Sequence, residues 1–121
     1  MPSSLTVYRR KSPVSRVATS TGFTAYDMPF PVATINVTEI SLTKRYPETG
    51  WTLNKVSDMV VKILEGRVVL YLKAEDKITL SEGDTVHVPK NTPYYWQPRV
   101  SVKMFVVSTP PWNEDQQTLL P

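Results

Sequence analysis

Apolar and polar positions alternate along this chain in short runs broken by turn residues, and the repeat is two residues rather than 3.6. That pattern predicts strands over residues 32–42, 59–64, 67–72, 77–80, 85–88, 94–97 and 102–107. Tyr46 to Gly50, Glu65-Gly66, Ala74 to Asp76 and Ser81 to Asp84 supply the turns between them. In the first of these strands the apolar parity runs Ala33, Ile35, Val37 and then changes to Ile40, Leu42. One extra residue exchanges the two faces of a strand, so a bulge is expected near Thr38-Glu39. No segment keeps a helical apolar period, and only Glu114 to Gln117 is expected to form a single helical turn. Many short strands at close spacing predict an all-β, antiparallel barrel or sandwich.

The strand at 102–107 is apolar on both faces: Val102, Met104 and Val106 alternate with Lys103, Phe105 and Val107. One face fills the barrel, and the other needs a cover, from a second sheet or a second subunit. At 121 residues the chain is long enough for one domain. The reading divides it into an N-terminal arm or strand (1–31) joining the barrel or dimer sheet, a barrel (32–108) and a C-terminal tail (109–121).

Composition narrows the chemistry. With no cysteine, thiolate nucleophiles, disulfides and cysteine-based zinc sites are excluded. No glycine-rich phosphate loop is present. A single histidine cannot build a three-histidine metal centre. The formal net charge is +3, with Arg9, Arg10, Lys11 and Arg16 ahead of the first acidic residue, Asp27. That basic, Ser/Thr-rich start has the composition of an organelle import signal. The preferred reading is an ordered strand with a solvated basic turn, in a cytoplasmic protein. No aromatic platform accompanies the basic run, so no nucleic-acid partner is expected. The apolar runs are too short for a membrane span, so no membrane partner is expected.

Two strings carry a family resemblance. Gly83-Asp84-Thr85-Val86-His87-Val88-Pro89-Lys90-Asn91-Thr92-Pro93-Tyr94 resembles the second signature motif of the cupin superfamily, with Asn91 in place of its second glycine and Tyr94 in place of its metal-binding histidine. Asp58 to Gly66, ending Leu64-Glu65-Gly66, resembles the end of the first motif, with Met59 at the glutamate ligand position. The two histidines of that motif fall on Leu53 and Lys55 or on Thr52 and Asn54, according to register. Within the superfamily the chain is most similar to the cupin domain of the ethanolamine-utilisation protein EutQ, through Trp51 to Asn54, Leu64 to Gly66, Gly83-Asp84 with Val88-Pro89-Lys90, and Pro111-Trp112-Asn113. The resemblance implies a cupin-type double-stranded β-helix, or jelly roll, that dimerises through its outer sheet. It carries none of the metal ligands, so no metal and no cofactor are expected.

The candidate site follows from those positions. Tyr94, Met59 and Trp96 are expected to face into the barrel where the family holds its metal, with Trp51 and Lys55 at the mouth. Tyr94 would hydrogen-bond a ligand, Trp96 and Met59 would form its wall, and Lys55 would meet negative charge. The leading expectation is binding of a small polar or carboxylate-bearing metabolite. A metal-independent isomerase or epimerase using Tyr94 and His87, or an EutQ-like activity, is the first alternative. The other is a protein-interaction module whose barrel is plugged by its own side chains.

Overall fold

The computed structural model describes residues 5–9, 15–20, 22–74 and 76–121. Its strands are β1 (Ser15–Ser20), β2 (Phe23–Met28), β3 (Asn36–Leu42), β4 (Trp51–Asn54), β5 (Asp58–Glu65), β6 (Arg67–Leu72), β7 (Lys77–Ser81), β8 (Thr85–Val88), β9 (Tyr94–Pro98), β10 (Val102–Thr109) and β11 (Gln117–Leu120). They form two antiparallel sheets. One has six strands in the order β1-β2-β3-β10-β5-β8; the other has five in the order β11-β4-β9-β6-β7. The alternation predicts the antiparallel strands, and the arrangement is the jelly-roll barrel that the cupin resemblance implies. The predicted turn at Glu114 is a short 3-10 helix, Glu114–Gln116.

The inner surface of the six-stranded sheet grades from apolar to polar. Its register sets Leu42 opposite Val102, Ile40 opposite Met104, Thr38 opposite Val106 and Asn36 opposite Ser108. On β2 the same face carries Phe23, Ala25 and Asp27. At the apolar end Ile63, Val68, Leu70, Leu80 and Val102 pack into a closed core, each at most 5% exposed. At the other end the barrel is open.

This gradient corrects one expectation. β3 runs in unbroken register with both β2 and β10, and there is no bulge at Thr38-Glu39. What reads as a change of parity is an inner face that turns polar: Asn36 and Thr38 continue the row of Ile40 and Leu42. Val37 points outward and is buried there. The register shifts lie instead at Arg16/Ala18 and Lys103/Met104.

The two ends of the chain complete the walls. β1 and β2 extend the six-stranded sheet. The basic residues Arg10 and Lys11 lie outside the described residues. Residues 109–121, read from the sequence as a tail, cross the open end and return as β11 against β4. A buried polar network anchors this crossing. Asn54 accepts from the Val56 and Ser57 amides (2.7 and 2.6 Å) and donates to Gln116 Oε1 (2.9 Å). Ser57 Oγ lies 2.9 Å from the same Gln116 oxygen and 2.6 Å from the Pro110 carbonyl, and Gln116 Nε2 donates to the Pro111 carbonyl (3.0 Å). Polar atoms buried this deeply need such partners.

Candidate functional site

The open end of the barrel holds a cavity of about 640 Å³. That lies within the range of small-molecule sites, roughly 300–1,000 Å³. The barrel is therefore hollow rather than plugged. Tyr94, Trp96 and Met59 line the cavity, as the strand alternation predicts. Tyr94 and Trp96 are both 4% exposed, and their rings meet edge to face at 5.9 Å. Phe23 and Tyr46 form a stacked pair at 4.3 Å on the same lining.

A hydrogen-bonded chain ties the wall to the crossing segment. The Gln117 side chain bonds the Tyr94 phenol and also donates to Thr52 Oγ1. Gln117 Oε1 accepts from the Trp112 indole N–H (2.8 Å), and the Trp112 amide donates to Asn36 Oδ1 (3.0 Å). Burial raises the Tyr94 phenol far above its ordinary range; the neighbouring Tyr46 phenol adds to the rise and the Gln117 bond opposes it. Burial also raises Tyr46. Both phenols stay protonated at any physiological pH and act as neutral hydrogen-bonding groups. An acid–base role for Tyr94 would need a shift toward neutrality, and the protein shifts it the other way.

Trp51, Lys55 and His87 are not brought to the cavity lining. Strand β4 turns Thr52 and Asn54 inward, at 0% and 3% exposure, so Trp51 must face outward. Its ring meets Tyr95 at 4.9 Å in an external ladder, in which Tyr95 also stacks on Tyr71 (4.5 Å) and carries the Arg45 guanidinium 3.7 Å above it. Lys55 is exposed, and its backbone amide binds the Gln116 carbonyl. The expected mouth positions are thus corrected by a one-residue difference in register.

His87 lies on the outer face of β8, with Val60 of β5 as its register partner. Its Nε2 is 3.2 Å from Asp58 Oδ1, and the same oxygen accepts the Lys90 amide at 3.1 Å. The Lys90 amide first, then the His87 hydrogen bond, holds the Asp58 carboxyl below its ordinary range. A depressed carboxyl stabilises the fold above its unfolded-state pKa, and that contribution is lost as pH falls through the folded value. Carboxyl-carbon NMR should therefore show Asp58 titrating below ordinary aspartates, with His87→Ala moving it upward; a midpoint at or above the ordinary value contradicts the pair.

The lining contains groups that the sequence reading passed over. Asp27 and Asp115 both face the cavity, together with Trp112 and Gln117. Asp27 Oδ1 is buried and has no hydrogen-bond partner. The signal for it was available: Phe23, Ala25 and Asp27 alternate, and a carboxylate on the apolar face of a strand marks a cavity or a partner. No lysine, arginine or histidine occurs among the described lining residues.

The donor set does not fit a transition metal. With β4 in this register, the family's ligand positions hold Thr52, Asn54, Met59 and Tyr94, none of them an imidazole, thiolate or carboxylate. No group of three or more His, Cys, Asp or Glu side chains is placed to hold a metal ion among the described residues. No helix among them is long and apolar enough to cross a membrane.

A family model for the EutQ-like cupin domain matches residues 37–105. No curated protein sequence matches the chain. Solved structures do. Pac13 of Streptomyces, solved with uridine, is 19% identical, covers 96% of this chain and 92% of its own, and superposes with a TM-score of 0.78; it is described as a nucleoside dehydratase. Ectoine synthase from P. lautus is 12% identical over 86% of this chain and 80% of its own, with a TM-score of 0.69. At these identities the likeness is one of fold.

Proposed function

The chain belongs to the EutQ-like cupin domain family, and from that premise we propose that it binds a small polar organic molecule in the barrel cavity without a transition metal. The observation that carries this reading is the open cavity of about 640 Å³, with an aromatic wall and an unpartnered buried oxygen, Asp27 Oδ1. Specific small-molecule sites combine such an apolar wall with a few placed polar groups. Tyr94 supplies a neutral hydroxyl hydrogen-bonded by Gln117, Trp96 and Met59 supply the wall, and the Trp112 segment crosses the mouth. Pac13, which shares the fold, is solved with uridine, which makes nucleosides natural members of a first screen.

A thermal-shift screen of metabolites, uridine included, tests the reading when each stabiliser is mapped by methyl NMR. Stabilisers should perturb the Met59 and Met104 methyls, which line the cavity. Their affinity should fall by about five- to tenfold in Tyr94→Phe, the equivalent of one hydrogen bond of ~1 kcal/mol. Stabilisers that perturb neither methyl overturn the proposal. Unchanged affinity in the variant removes Tyr94 from the site.

A second reading, a metal-independent enzyme, is supported by the placement of Asp27. His87 is on the outer face, so the acid–base residue would be Asp27 rather than the expected Tyr94 and His87 pair. Turnover of the bound metabolite, lost in Asp27→Asn while binding persists, would select this reading. The proposal also includes a homodimer. On the outer face of the six-stranded sheet Phe105 and Val107 are half-buried, while Tyr26 and Val60 are 37% and 46% exposed, a surface suited to a second copy.

A further inference from the structure

The charge of the cavity narrows the ligand class. Aligned strands bring Asp27 directly opposite Thr38, and Asn36 lies two residues along the same face of β3. Asn36 is already engaged: its Oδ1 accepts the Trp112 amide, and its Nδ2 reaches Thr38 Oγ1 at 3.4 Å. Asp27 Oδ1 is buried without a partner, and the Asp27 carboxylate is therefore the acceptor left unpaired in the lining at this end of the cavity. Asp115, on the crossing segment, adds a second carboxylate to the lining. No cation balances them among the described lining residues.

Such an environment repels carboxylates and phosphates, which would bring more negative charge beside Asp27. A neutral donor would satisfy the unpaired carboxylate. A positively charged donor would do so more strongly, because a charge-assisted hydrogen bond is roughly twice as strong as a neutral one. The rest of the lining favours the same chemistry. Tyr94, Trp96 and Trp112 present aromatic surface around the cavity, and ring faces attract ammonium groups once water is excluded.

Resting on the reading of the cavity as a ligand site, we infer that its ligand is a small organic cation whose ammonium group meets Asp27 and whose carbon skeleton lies against the aromatic wall. The sequence leads to a small polar or carboxylate-bearing metabolite, and the inference departs from the carboxylate-bearing part of that expectation. That expectation depended on Lys55 at the mouth, and Lys55 is not in the lining.

Three probes of one shape separate charge from fit: benzylammonium, benzyl alcohol and benzoate. Each is titrated into the intact protein while the Met59 and Met104 methyl resonances are followed. Benzylammonium should bind about tenfold more tightly than benzyl alcohol, with benzoate weakest. Asp27→Asn should bring benzylammonium and benzyl alcohol to within about twofold of each other. Should that variant not fold, salt decides the matter on the wild type: high salt should weaken benzylammonium and leave benzyl alcohol unchanged. Equal binding of the cation and the alcohol, or a preference for benzoate, overturns the cation inference and leaves the cavity as a ligand site. Shifts of neither methyl with any of the three overturn both.

Discussion

Gly66→Ala should destabilise the fold by about 3–5 kcal/mol, enough to unfold much of a small domain. Gly66 makes the corner between β5 and β6 with φ +86, a region that L side chains rarely adopt. A Cβ there would sit 2.1 Å from the Ser101 carbonyl oxygen and 3.1 Å from Val102 Cα. Those atoms are backbone at the start of β10, and Val102 is locked opposite Leu42. Neither side can yield without disturbing the central strand pairing. Gly83 provides the comparison. Its φ is +91, but a Cβ would meet nothing within 4 Å, so Gly83→Ala should cost only the backbone strain, ~1–2 kcal/mol. Urea unfolding followed by circular dichroism measures both. Equal losses would show that the close approach of Ser101 contributes nothing.

Asn54→Ala should cost about 2–4 kcal/mol and loosen the cavity mouth at the same time. The side chain is 3% exposed and satisfies two backbone amides and Gln116 together. Its loss leaves the Ser57 amide unpaired in the interior and frees one of the bonds that hold residues 110–117 across the opening. Hydrogen exchange separates this from a general loss of stability. The Lys55 amide, bonded to the Gln116 carbonyl at 3.0 Å, and the Trp112 amide, bonded to Asn36, should lose more protection than the Val106 amide in β10. Uniform loss of protection would mean that the crossing segment is held by the barrel as a whole rather than by Asn54.

The barrel was legible because its signal is local. Period-two alternation located β5 through β10 nearly to the residue, and the motif strings located Tyr94 and Met59 in the wall. Asn91 shows how far such a reading carries. It replaces a glycine of the family motif, and it adopts φ 63, the left-handed conformation that asparagine tolerates better than most residues. Most of the failures share a cause: their determinants are distant in sequence. β11 becomes a strand because it finds the edge of β4, and its own four residues barely alternate. Trp51 carries no mark of which way it faces, since a four-residue strand reads equally well in either register until Thr52 and Asn54 are seen inside. The inner face of β3 was misread because polar residues on a strand normally signal solvent. Here Asn36 and Thr38 face a cavity instead. Asp27 and Asp115 come from opposite ends of the chain and are assembled at one opening only by the fold.

Native mass spectrometry of untagged protein, purified without chelator, tests the central claim most directly. The account predicts dimers carrying an organic adduct of metabolite mass, no transition metal, and an adduct that is lost when Tyr94→Phe is combined with Asp27→Asn. A stoichiometric transition-metal mass that survives in the double variant, with no organic adduct, would contradict it.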